Sequence, residues 1–221
     1  MIPQSIAGRF RRAAASSLVL LALASSNAAQ AAPTRSEISD AASAVAGLGD
    51  RAFVILRETS PASASRHWLI HALIAEKFDM PVIAQYVAGR AWPAATEAER
   101  DRFIAAFGHY ATELLSERFS RYTKQAFAIV GQRAEADGSS TISTEITEAN
   151  ATPGVKVDWR VANQLDQYKI TDVTVSGVSV ARTKRAEFGT IIERNGGRIA
   201  AITTMLEDKT AHWTQSAAKA D

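Results

Sequence analysis

Cysteine is absent from all 221 residues of the chain. Its absence excludes disulfide staples, thiol nucleophiles and thiolate metal sites, and it removes the residue through which a bacterial lipoprotein is anchored. Catalytic signatures are missing too. G-x-S-x-G does not occur, and Gly177-Val178-Ser179 lacks the second glycine of a nucleophile elbow. No glycine-rich loop leads from a strand into a helix; Asn195-Gly196-Gly197 follows a helical pattern and reads as its C-terminal stop. Histidine is scarce, with four in the chain. His67 and His71 stand one helical turn apart, a spacing found in zinc sites, but there is no HExxH pattern and Glu76 falls off their face. His109 and His212 read as isolated. Pairing Asp172 with His109 as acid and base requires an assumed contact. These absences leave no catalytic residue, metal or cofactor to expect.

Long apolar runs are also lacking. Ala13–Ala24, about a dozen residues centred on Leu18, Val19, Leu20, Leu21 and Leu23, falls short of the roughly 20 that cross a bilayer. It follows Arg9, Arg11 and Arg12 and precedes the small-residue site Ala29-Gln30-Ala31, the order of a secretory signal peptide cleaved after Ala31 or Ala28. The expected organisation is a signal peptide over 1–31, one domain over 32–213 and a tail over 214–221, with the mature protein in the periplasm. Removing 1–31 takes three arginines and no acid, leaving 22 basic against 23 acidic residues. The basic character belongs to the targeting segment and gives no support for nucleic-acid binding.

After the signal the pattern is helical. Ser36 is a candidate N-cap, with Ile38, Ala42, Val45, Leu48, Ala52 and Ile55 at helical spacing before Thr59-Ser60-Pro61. A second helix is expected over 63–77 and a third over 81–88, closed by Gly89. Thr96 and Glu99 form a capping box that opens a long helix. On it Phe103, Phe107, Tyr110 and Leu114 make one stripe, widened by Ile104, Ala111, Leu115, Phe119 and Tyr122.

The period then changes to two. Phe127 and Ile129 begin a strand; Ile142, Thr144 and Ile146 alternate in a second, between the turn signals Asp137-Gly138 and Pro153-Gly154. Val155, Val157, Trp159 and Val161 alternate with Lys156, Asp158 and Arg160, which predicts a strand with the first set toward the helices. In the fourth strand Tyr168 and Ile170 share one face, whereas Val173 and Val175 need the opposite parity. A β-bulge near Thr171-Asp172 reconciles them. Helices over 186–195 and 198–209 end the chain. The fold class is α+β: helices packed on one face of a four-stranded antiparallel sheet.

Two stretches carry a resemblance. The first runs from Phe78-Asp79-Met80-Pro81 through Gly89-Arg90-Ala91-Trp92 to Thr96, Arg100, Phe103 and Phe107. The second is Tyr168-Lys169-Ile170-Thr171-Asp172-Val173-Thr174-Val175-Ser176-Gly177-Val178-Ser179-Val180, followed by Arg185, Phe188, Ile191 and Ile192. In this order they resemble the MlaC / toluene-tolerance family of periplasmic phospholipid-binding proteins. Tyr168 stands where that family usually has Trp, and Ser176 where it has an acid. The resemblance implies a carrier that holds the acyl chains of a phospholipid or related lipid in an apolar cavity between sheet and helices. Its implied partners are an outer-membrane lipoprotein complex and an inner-membrane ABC transporter with an MCE-domain subunit. The residues expected to line the cavity share the inward faces of their elements: Phe103, Phe107, Tyr110, Val157, Trp159, Val173, Val175, Phe188, Ile191 and Ile192. Alternative readings are a hopanoid-type ligand, an isomerase-like enzyme with a cone-shaped pocket, and an adaptor with a filled core.

Overall fold

The structure is a computed structural model and describes residues 33–60, 63–120, 125–148, 154–165 and 167–217. The expected signal peptide lies outside the described residues. In chain order the elements are α1 (Arg35–Glu58), α2 (Ala64–Lys77), α3 (Met80–Ala88), a 3₁₀ turn (Gly89–Ala91), α4 (Glu97–Ser120), β1 (Gln125–Ala134), β2 (Ser140–Glu148), β3 (Val155–Gln164), β4 (Gln167–Val175), β5 (Val178–Ser179), α5 (Val180–Arg194) and α6 (Ile199–Ala217).

The helices start where side chains satisfy the free amides of a first turn. Thr34, not Ser36, caps α1: its Oγ1 accepts from the Glu37 amide, and Glu37 Oε2 accepts from the Thr34 amide at 2.7 Å. Ser63 caps α2 and Asp79 caps α3. Thr96 and Glu99 close the expected box on α4. The amide of Thr96, and then Arg198, hold the Glu99 carboxyl down at about 2. The last two helices depart most from expectation. α5 begins at Val180 rather than 186, because Ser179 accepts from the Arg182 amide at 3.0 Å and caps a first turn without apolar periodicity. α6 continues to Ala217, past residue 209 where the helix was expected to end.

The strands form an antiparallel meander in the order β1-β2-β3-β4-β5. Its fifth strand was not expected. Ser176 and Gly177 both have positive φ, 49° and 83°, the geometry of a two-residue hairpin turn, and fold Val178 back beside Val175. The expected bulge is present: Arg160 faces Asp172 and Val161 faces Ile170, so Thr171 is left over. As a result Val157, Trp159 and Val161 are buried together with Ile170, with Val173 and Val175 packed against them. Val155, at the strand's outer end, is 43% exposed. On the opposite face Asp158 accepts from Ser143 Oγ, and Arg160 pairs with Asp137 at 2.6 Å.

The helices cover the apolar face. α1 lies across β1 to β4, and α2, α3 and α5 reach β4. Gly49 permits a close approach of α1 to β1: a Cβ there would stand 2.8 Å from the Phe127 ring. The helical layer is tied to the sheet at the bulge. Phe78 bridges Ile170, the Asp79 amide donates to the Ile170 carbonyl at 2.9 Å, and the Asp79 carboxylate accepts from Gln164.

Asp172 holds the corner after β4. Its Oδ1 accepts from the amides of Val173 (2.8 Å) and Ala181 (3.1 Å), and its Oδ2 accepts from Ser179 Oγ (2.6 Å). Asp172→Ala removes the acceptor of the Val173 amide and of the Ala181 amide in the first turn of α5, and should cost about 1–3 kcal/mol of folding stability. Urea titration measures this. A loss below about 0.5 kcal/mol, the range of an ordinary surface substitution, contradicts the assigned role.

Candidate functional site

The residues expected to line a cavity belong to, or pack against, one connected apolar cluster. On the sheet side β3 and β4 place Val157 opposite Val175 and Trp159 opposite Val173. On the helical side α4 contributes Phe103, Phe107 and Tyr110, and α5 contributes Phe188, Ile191 and Ile192. Phe103 stacks on Phe107 with centroids 5.9 Å apart. Phe107 meets Phe188 edge-on at 6.4 Å, and Tyr110 lies 6.2 Å from Phe188. The aromatic run thus passes from Phe103, which is fully buried, outward to Tyr110. There the Lys184 and Lys209 ammonium groups lie 5.6 and 5.3 Å from the Tyr110 ring centroid. Phe103, Phe107, Tyr110, Val157, Trp159, Phe188 and Ile192 are buried; Val173, Val175 and Ile191 are partly buried and packed against the same cluster.

Two neighbours of this layer escaped the sequence reading of the site. Phe127 packs on Trp159 at 6.5 Å and edge-on to Phe53 at 6.3 Å. Thr144, fully buried on β2, accepts from the Trp159 indole at 2.9 Å and donates to the Val157 carbonyl at 3.1 Å. Parity with Ile142 was the available signal for Thr144; nothing in the sequence points to its hydrogen bonds.

A separate open concavity of about 800 Å³ is bordered by Val82 and Tyr86 of α3, Arg160 and Ala162 of β3, Asp172 of β4 and Arg182 of α5, among others. None of the expected lining residues borders it. Three of its charged groups have structural work: Arg160 pairs with Asp137, and Asp172 holds the β4–α5 corner. Beside it the Arg185 guanidinium lies 4.8 Å over the Tyr86 ring and donates to the Tyr86 carbonyl at 2.8 Å, joining α5 to α3.

The histidines are rearranged relative to expectation. His109 is not isolated: its ring centroid lies 5.9 Å from that of His71, which lies 6.3 Å from that of His67. Nevertheless, among the described residues no group of three or more His, Cys, Asp or Glu is placed to hold a metal ion.

Comparison with known proteins follows the same lines. The model of the MlaC protein family matches residues 47–208. The fold is similar to that of a phospholipid-binding protein from Ralstonia solanacearum, solved in complex with a phospholipid. The TM-score is 0.70 at 20% identity, over 78% of this chain and 98% of that one.

The hydrogen bond from Trp159 to Thr144 is the polar tie inside the sheet side of this layer. Thr144→Val keeps the shape but leaves a buried indole N–H without an acceptor. The expected loss is about 1–3 kcal/mol of stability, with Trp159 fluorescence reporting an altered environment. A variant as stable as wild type would show that the hydrogen bond does not fix the Trp159 ring.

Proposed function

This chain belongs to the MlaC protein family, and we propose from that premise that it is a lipid-binding carrier. The observation that carries the reading is the family match over residues 47–208, which spans both the aromatic stripe of α4 and the bulged strand pair. The phospholipid held by the Ralstonia solanacearum relative of the same fold supports phospholipid as the ligand class. In this proposal the acyl chains enter between the sheet and α4–α5, along Phe103, Phe107, Tyr110, Val157, Trp159, Val173, Val175, Phe188, Ile191 and Ile192.

The physical need for such a carrier is large. A two-tailed lipid has about 30 methylenes, each worth about 0.8 kcal/mol when buried, so on the order of 24 kcal/mol opposes its free passage through water. A protein interior that replaces the bilayer's apolar contacts makes transfer close to neutral in free energy. No bond is made or broken, so no catalytic residue is required. The finer part of the proposal is that the mature protein works in the periplasm. There it shuttles lipid between an outer-membrane lipoprotein complex and an inner-membrane ABC transporter with an MCE-domain subunit.

The layer can be tested by charge. Phe107→Asp or Val175→Asp puts a carboxylate among apolar groups, where it must be desolvated or neutralised. Either folded variant should lose retention of a fluorescent phospholipid. At neutral pH, His67→Ala, His71→Ala and His109→Ala should leave transfer between vesicles largely intact. Full lipid retention by a folded charge variant would move the tails elsewhere.

Export is tested on its own. Protein recovered from the periplasm should begin at residue 32 or 29 by N-terminal sequencing. A Met1 terminus in the membrane fraction would overturn the soluble carrier.

A further inference from the structure

Three of the chain's four histidines come together on the outer side of α2 and α4. His67 and His71 project from α2 one turn apart, and His109 faces them from α4. One turn further along α4, Glu113 Oε1 lies 3.1 Å from His67 Nε2. His71 is the middle member, with a like group about 6 Å away on each side. These side chains are not arranged to hold a metal ion. What they can do together is take up protons.

We propose that His67, His71 and His109 form a pH-responsive latch between α2 and α4, closed at neutral pH and loosened in acid. With all three rings protonated, three positive charges share the carboxylate of Glu113 across the helix pair. The spacings lie inside the Debye length of about 8 Å at physiological salt, so dissolved ions do not remove the repulsion. Other charged groups packed on the two helices have their own partners: on α6, Glu207 pairs with Arg102 and the Lys209 ammonium lies over the Tyr110 ring. Arg51 of α1 binds Glu76, and Lys169 of β4 donates to the Glu76 carbonyl, both at the C-terminal end of α2. Arg66 is buried and turned to the Leu56 carbonyl and Thr59 Oγ1 at the end of α1.

His71 itself is held below its ordinary value of 6.5, first by burial and then by His109 and His67, with Glu113 opposing. The sign follows. The unfolded chain binds this proton more readily than the folded one. The folded state therefore loses stability as the pH falls below 6.5, until His71 is protonated in the folded state as well. The inner faces of the same two helices carry Ile70, Leu73 and Ile74 on α2, and Phe103, Phe107 and Tyr110 on α4. A latch that loosens α2 against α4 loosens this side of the apolar layer, and ligand exchange quickens in acid. The exchange half of the inference rests on the carrier reading; the stability half does not.

The test compares the mature chain with His71→Gln and with His109→Gln at about pH 7.5 and about pH 5.5, on either side of the histidine range. Two quantities are read: the thermal unfolding midpoint, and the exit of a fluorescent phospholipid into phosphatidylethanolamine–phosphatidylglycerol vesicles. The wild-type midpoint should fall on acidification by several degrees more than that of either variant, and lipid exit should speed up several-fold in wild type alone. Parallel falls in midpoint in all three proteins would overturn the latch, and so would the same acceleration of exit in the variants. Should one variant fail to fold, the other supplies the comparison. If wild type takes up no fluorescent phospholipid at either pH, the carrier reading fails, and the unfolding comparison alone decides the latch.

Discussion

The fold depends on one unpaired residue. Thr171 sits between the cross-strand pairs Arg160–Asp172 and Val161–Ile170, and this single offset reverses the parity of β4 halfway along its length. Without it, Ile170 and Val173 would point to opposite faces of the sheet. With it, Ile170, Val173 and Val175 join Val157, Trp159 and Val161 in one apolar surface. The helical layer is built against that surface. The link between α2 and α3 attaches at the same place, through the Asp79 amide and the Ile170 carbonyl. Beside the bulge on β4, Asp172 accepts from the Ala181 amide and holds the start of α5. The bulge therefore sets the inward face, and the positions of α3 and α5 follow from it.

The two sequence blocks that carry the family resemblance meet in space at this junction. Phe78 and Asp79 of the first touch Ile170 of the second. Arg185 of the second covers Tyr86 of the first, and Phe188 packs on Phe107. Segments about ninety residues apart thus form one contact surface, with the aromatic stripe of α4 behind it. Much of what distinguishes the blocks as motifs is explained by architecture: a helix cap, a bulge, a corner and a guanidinium stacked on a ring.

Much of this was legible in the sequence because hydrophobic period, turn residues and capping pairs act locally. The strand parity of Val157, Trp159 and Val161, the capping box at Thr96 and Glu99, and the bulge could each be read from a few neighbouring residues. The departures have physical causes of two kinds. Some local signals were too short or too polar. β5 is two residues long, and the first turn of α5 has no apolar stripe, its start being fixed by the Ser179 hydroxyl. Other features exist only in three dimensions. His71 and His109 are far apart in the chain, and the Trp159–Thr144 hydrogen bond joins different strands. For the candidate site, the inward faces could be listed from sequence, but the cross-strand pairing of Val157 with Val175 and the stacking of Phe103, Phe107 and Phe188 required the fold.

A carrier of this kind must accept lipid into its interior. Native mass spectrometry of the wild-type protein, purified from cells without detergent, tests it most directly. The expected result is a dominant species heavier than the mature chain by the mass of a phospholipid, which dissociates as an intact lipid on collisional activation. A protein that appears only at the mass of the bare chain, and remains so after incubation with phospholipid vesicles, would contradict it.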